Sequence, residues 1–61
     1  MAHFERQYVG EDTWETVSEE VVRQKADGNW RDVGVLIQDL KRLSPRELRV
    51  TPVSFYRYVE E

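Results

Sequence analysis

The fold is decided by residues 13–43, which have the sequence TWETVSEEVVRQKADGNWRDVGVLIQDLKRL. Apolar residues recur in this stretch at intervals of three and four on both sides of a central Asp27-Gly28-Asn29, and that spacing is typical of amphipathic helices. Glycine readily adopts the left-handed backbone conformation that ends a helix. The stretch therefore predicts two helices joined by a short turn, a helical hairpin.

The first helix has two candidate starting points. Asp12 with Glu15 three residues later matches a capping box, which would begin the helix near residue 13 and place Trp14 on its apolar face. Residues 13–17 also alternate and contain β-branched side chains, so the alternative is a short strand followed by a shorter helix capped by Ser18. The sequence leaves both alternatives open.

The second helix is predicted to begin after Asn29, as N-cap, and to run to Leu43. Its apolar face consists of Val33, Leu36, Ile37, Leu40 and Leu43. Trp30 is expected to pack across the corner of the hairpin. Immediately afterwards, Ser44 and Pro45 form the start signature of one further turn of helix.

The two ends of the chain are predicted to be strands. Residues 3–9 alternate between apolar and polar side chains, residues 48–52 are typical of extended chain, and residues 53–59 are rich in aromatic and β-branched types. A helix over residues 52–61 is the alternative for the C-terminus. The predicted fold is α+β in the order β-α-α-β: one domain, residues 1–61, with the hairpin packed on a short antiparallel sheet of the two terminal strands.

Composition excludes several classes of function. The chain has 61 residues, no cysteine and one histidine, His3, so nucleophilic catalysis and metal binding have few candidate side chains. We expect no enzyme activity, no cofactor and no metal. No apolar run reaches the ~20 residues of a membrane span, and no signal peptide is visible, which predicts a cytoplasmic protein without a membrane partner. Because so short a chain has a marginal core and a two-stranded sheet has exposed edges, a homodimer is expected.

The N-terminal half is acidic and suggests a protein-binding function. Residues 1–30 carry seven acidic and three basic side chains, a net charge of −4. Solvated acidic residues on a helix, together with an exposed tryptophan, can form a docking surface for another protein. The candidate partner-binding residues are Glu11, Trp14, Glu15, Glu19 and Trp30. The resulting hypothesis is a small non-enzymatic regulator, adaptor or inhibitor that binds another protein.

The C-terminal half is basic and supports an alternative function. Five basic residues lie between Lys41 and Tyr58 with Glu47 as the single acidic residue. Arginines interleaved with aromatic side chains can bind single-stranded nucleic acid through phosphate contacts and base stacking. The candidate residues are Arg42, Arg46, Arg49, Tyr56, Arg57 and Tyr58. On a strand, however, alternation separates Phe55 and Val59, expected in the core, from the two tyrosines on the opposite face.

Overall fold

The computed structural model of the chain describes residues 1–60. Its elements are β1 (His3–Tyr8), β2 (Glu15–Val17), α1 (Glu19–Ala26), α2 (Val33–Arg42), β3 (Leu48–Thr51) and β4 (Ser54–Val59). The strands form one antiparallel sheet in the order β2-β1-β4-β3. The α+β class, the helical hairpin and the pairing of the terminal strands are confirmed. The sheet is wider than predicted, because β2 and β3 add an edge strand on each side.

The start of α1 follows the alternative prediction. Ser18 is the N-cap, and its side chain accepts a hydrogen bond of 3.2 Å from the backbone N–H of Val21. The prediction of a helix beginning after Asp12 is wrong, because residues 15–17 pair with β1 as strand β2. The helix ends at Ala26, and Gly28 has the predicted positive φ, here 85°.

Two further predicted helix starts are wrong. The N-cap of α2 is Asp32, whose carboxylate accepts from the N–H of Val35 at 3.1 Å. Asn29 instead donates its side-chain amide to the carbonyl of Lys25 and so closes the end of α1. No helix follows Ser44: its hydroxyl donates to the carbonyl of Tyr58 on β4, and the chain enters β3 within four residues.

The core lies between the helices and one face of the sheet. It contains Phe4, Val22, Ala26, Leu36, Ile37, Leu40, Val50 and Tyr56. The predicted orientation of β4 is wrong: Tyr56 is only 1% exposed and Tyr58 packs against the core, so Phe55 and Val59 belong to the opposite face. The register explains the reversal, because Tyr58 pairs with the buried Phe4 and their rings meet edge to face at 4.8 Å.

The sheet edges are short and partly covered. β2 has three residues, and β3 has four with an irregularity between Arg49 and Thr51. The indole N–H of Trp30 donates to the carbonyl of Val50 at 2.9 Å, which occupies a backbone acceptor of the edge strand. Short or irregular edges discourage pairing with another strand. Completion of a two-stranded sheet, one of the two predicted reasons for a homodimer, therefore does not apply. Across residues 1–60 the structure contains no helix long and apolar enough to cross a membrane.

Candidate functional site

The candidate site is the face of the sheet turned away from the helices, called the open face below. Side chains alternate along a strand, so the odd-numbered residues of β1 and β4 lie on this face, while the even-numbered Phe4 and Tyr56 are buried under the helices. Its members are His3, Glu5, Gln7 and Val9 from the first strand and its extension, Trp14 and Thr16 at the second, Arg49 from the third, and Val53, Phe55, Arg57 and Val59 at the fourth. Most of them are half-buried.

A connected group of four side chains orders one half of the open face. The guanidinium of Arg57 lies 4.0 Å from the centre of the Trp14 ring. The same guanidinium donates to the Glu5 carboxylate at 2.7 and 2.8 Å, and His3 Nε2 lies 2.9 Å from the other Glu5 oxygen. The hydrogen bond with His3, followed by those from Arg57, lowers the pKa of Glu5 below its ordinary value. Trp14 is therefore held against the sheet by a charged, hydrogen-bonded support.

The other half of the open face is apolar and more exposed. Val9 donates its backbone N–H to the carbonyl of Val53 at 2.9 Å, which continues the pairing of β1 with β4 by one step. Val9 is 52% exposed and Val53 is 60% exposed. Phe55, two residues after Val53, is on the same face by strand alternation, and the guanidinium of Arg49 is 5.9 Å from its ring centre. Large exposed apolar side chains that lie together are typical of interaction surfaces.

The structure separates the predicted acidic residues. Glu11 lies in the loop after β1, Glu15 in β2 and Glu19 in the first turn of α1, so the predicted helical docking face does not exist. Glu11 and Glu15 still border the same small groove of about 120 Å³. Glu15, however, is paired with Arg6 at 2.6 Å, and its charge is satisfied within the chain.

Glu19 belongs to a larger groove of about 330 Å³ at the opposite end of the sheet. Its carboxylate pairs with Arg23 at 3.2 Å and with Lys41 at 3.3 Å, and these two hydrogen bonds lower the pKa of Glu19. The Lys41 ammonium also lies 5.7 Å from the centre of the Tyr58 ring and 5.9 Å from that of Phe4. These contacts tie the start of α1 to α2 and the sheet, which is a structural role.

The two predicted tryptophans occupy different positions. Trp14 is part of the open face, as described above. Trp30 is half-buried against the core, with its indole N–H bonded to Val50, so it packs at the corner of the hairpin as predicted. Only Trp14 is therefore placed to contribute to a surface shared with other candidate residues.

The predicted basic and aromatic residues are also divided. Arg42 pairs with Asp39 on α2, and Arg46 lies in the exposed connection to β3. Tyr56 and Tyr58 lie on the helix side of the sheet, where Tyr56 accepts a hydrogen bond from Arg6 at 3.5 Å that raises the arginine's pKa. Neither tyrosine offers a stacking surface on the open face; of the predicted basic residues, Arg49 and Arg57 lie there, each over a different ring.

Of the open-face residues, sequence reasoning named Trp14, Arg49 and Arg57 as candidates and missed the others, among them Val9, Val53 and Phe55. The signal was available in the alternation of the two terminal strands. These residues all have odd numbers, so they share one face of the sheet once β1 and β4 are paired in register. In chemical terms the face offers stacking, apolar contact and fixed charges, which are the elements of binding. Within residues 1–60, no group of three or more His, Cys, Asp or Glu side chains is arranged to hold a metal ion.

Comparisons of the chain with protein-family models, with curated proteins and with solved structures found no match. The functional proposal therefore rests on the geometry of the open face.

Proposed function

We propose that this protein is a small non-enzymatic binding module, a regulator, adaptor or inhibitor that acts by binding another protein through its open face. The observation that carries the proposal is the one-sided architecture: both helices lie on one face of a four-stranded sheet, and the other face presents aromatic, apolar and arginine side chains. Tryptophan and arginine are enriched among the residues that dominate protein-binding energies.

The electrostatics of the open face favour a protein over a nucleic acid. The charge of Arg57 is balanced by Glu5 at 2.7 Å, and the chain as a whole carries a net charge of −3. Nucleic-acid binding depends on several uncompensated cations that replace counterions along the phosphate backbone. A nearly neutral face with an ordered tryptophan and exposed valines is better suited to a protein surface.

The test is affinity capture with two matched variants. Val53→Asp introduces a carboxylate on the open face, whereas Val35→Asp introduces one at a similarly exposed valine on α2, in the helical layer. Each tagged protein, immobilised at low density, is exposed to a native lysate treated with nuclease. A stoichiometric protein retained by the wild type and by Val35→Asp, but lost with Val53→Asp, supports the proposal. Equal retention by all three places the binding surface elsewhere.

The second candidate function is binding of single-stranded nucleic acid on the same face. It is favoured by one observation: Arg57 lies over the Trp14 ring and Arg49 lies over the Phe55 ring, so each arginine is combined with a stacking surface. Fluorescence anisotropy with labelled oligonucleotides between 50 and about 300 mM salt tests this function, because phosphate binding weakens steeply with salt. Affinity that is lost in Arg49→Ala but kept in Arg46→Ala would support this second function.

A further inference from the structure

We propose that the open face also binds a second copy of this chain, about a twofold axis that runs parallel to the strands between β1 and β4. The inference rests on the proposed function, in that it uses the same binding surface and names one occupant of it. Two sheets can stack face to face about 10 Å apart with nearly aligned strands. The argument is that the residues of this face complement each other under that one symmetry operation.

The register of the two central strands supplies the first complementary pairs. Glu5 lies opposite Arg57 and Gln7 lies opposite Phe55 within the sheet. The proposed axis passes between the two strands. Each β1 residue of one copy therefore faces, in the second copy, the β4 residue with which it pairs within its own chain. Glu5 and Arg57 are already paired within each copy, so this row forms no new ion pair; it places opposite rather than like charges across the axis, twice by symmetry. A twofold axis perpendicular to the strands through this row would instead oppose like charges.

Val9 and Val53, at the exposed apolar end of the open face, are matched by the axis in the same way. Val9 and Val53 continue the register of β1 with β4 through their 2.9 Å backbone hydrogen bond. The axis therefore packs Val9 of each copy against Val53 of the other, in two equivalent contacts. Both valines are more than half exposed in the single chain, so a second copy would remove apolar surface from water at the place where most of it is available.

The edges of the sheet carry opposite charges that match under the axis. Arg49 on β3 has no ion pair among residues 1–60, and neither has Asp12 in the loop that leads to Trp14. The axis exchanges the two edges, which brings the second copy's Arg49 above the edge formed by β2 and this loop. Unpaired charges of one copy thereby face opposite unpaired charges of the other at both ends of the interface.

The area of the open face sets the expected affinity of the dimer. The four strands lie about 4.8 Å apart, and only the central two are six residues long, so the footprint is at most roughly 20 by 20 Å. Interfaces at the small end of the usual size range are associated with weak or transient complexes. We therefore expect a reversible dimer that dissociates on dilution, so that self-association covers the proposed partner-binding face at high concentration and exposes it at low concentration.

Sedimentation equilibrium of the full chain from 1 µM to about 1 mM tests the dimer. The wild type and Val35→Asp are expected to approach twice the 7.3 kDa chain mass, with a dissociation constant in the micromolar range typical of small interfaces. Val53→Asp is expected to dissociate at least ~10-fold more readily, because it places two carboxylates in an apolar contact. A wild type that stays monomeric throughout, or a dimer equally sensitive to both substitutions or to neither, would overturn the inference.

Cross-linking with a short bifunctional thiol reagent tests the axis itself, since the chain contains no cysteine and the ~10 Å between stacked sheets is too long for a direct disulfide. Thr16 pairs with Glu5, and Glu5 pairs with Arg57. Extending the β3–β4 register by one residue places Glu47, the residue before β3, at the other end of this row. The axis brings Thr16 directly opposite the second copy's Glu47, whereas identical positions are offset by a further three strand spacings across the sheet, roughly 14 Å. A mixture of Thr16→Cys and Glu47→Cys should therefore cross-link faster than either variant alone; faster cross-linking of either variant with itself would exclude this axis.

The two proposals can fail separately. A monomeric wild type that still captures a foreign protein, and loses it with Val53→Asp, refutes self-association and leaves the proposed function intact. A dimer trapped as predicted, with no foreign protein dependent on Val53, refutes the proposed function and leaves the second copy as the established occupant of the open face.

Discussion

The ion pair beneath Trp14 gives the most quantitative prediction for the open face. Glu5 and Arg57 side chains are 17% and 30% exposed, and two nitrogens of Arg57 lie 2.7 and 2.8 Å from one carboxylate oxygen. Exposed ion pairs contribute about 0.2–1 kcal/mol, and charge-assisted hydrogen bonds about 1.5–3 kcal/mol. At this intermediate burial we expect Glu5→Gln to lower the free energy of unfolding by about 1.5 kcal/mol.

Arg57→Gln should lower the free energy of unfolding by more, about 2 kcal/mol, because it also removes the guanidinium stacked on Trp14, a contact worth about 0.5–1 kcal/mol. A 61-residue domain has a total stability of roughly 3–9 kcal/mol, so both variants should remain folded. The direct measure of the pair is the double-mutant cycle, for which we expect a coupling free energy near 1 kcal/mol.

The assay is urea unfolding followed by circular dichroism at neutral pH. With an m-value near 1 kcal/mol/M for so small a domain, the expected losses correspond to midpoint shifts of about 1.5 M for Glu5→Gln and about 2 M for Arg57→Gln. If the double variant lost the sum of the two single losses to within ~0.3 kcal/mol, the residues would be energetically independent. The description of Trp14 as held by a connected support would then be refuted.

Three other predictions concern pH, packing and capping. Folding lowers the pKa of Glu5 below its ordinary value of 4.5. The ionised carboxylate therefore stabilises the fold above that pH, and this stabilisation is lost as the pH falls through the lowered pKa. In urea titrations between pH 3 and 7, the free energy of unfolding should fall less steeply with acid for Glu5→Gln than for the wild type. Leu40→Ala, at a residue with no exposed surface, should lower the free energy of unfolding in the same urea assay by about 2–5 kcal/mol, whereas Val35→Ala should change it by no more than ~0.5 kcal/mol. Ser18→Ala should lower stability by about 1 kcal/mol through loss of the N-cap, while Asp12→Ala should not; equal losses would contradict the start of α1 at Glu19.

The helical hairpin was predictable because its signals are local. The apolar spacing of residues 33–40 and the glycine at 28 act within a few residues of each other, and tertiary packing did not need to override them. The start of α1 was ambiguous for the opposite reason. Asp12 and Ser18 are both competent N-caps, and the choice between them depends on whether residues 15–17 find a strand to pair with, which is a contact with a distant part of the chain.

The candidate site depended on tertiary structure to a greater degree. Glu15 and Glu19 would have been neighbours on one helix, but pairing of β2 with β1 moved Glu15 into the sheet beside Arg6. Tyr56 and Tyr58 resembled exposed stacking residues until the register with Phe4 turned them inward. In each case the sequence shows which acidic or aromatic residues the segment contains. It does not show which way their side chains face in the folded chain.

By itself the sequence determined the α+β class, the two helices and the extended terminal segments, because capping, turn chemistry and hydrophobic periodicity are short-range properties. Only the tertiary structure decided which side of β4 faces the core and which side chains meet on the open face. Alternation in a strand has a period of two and specifies that Phe55 and Tyr56 are on opposite sides, but it does not specify which side is buried. That choice is made by the register with β1 and by the helices that cover one face of the sheet.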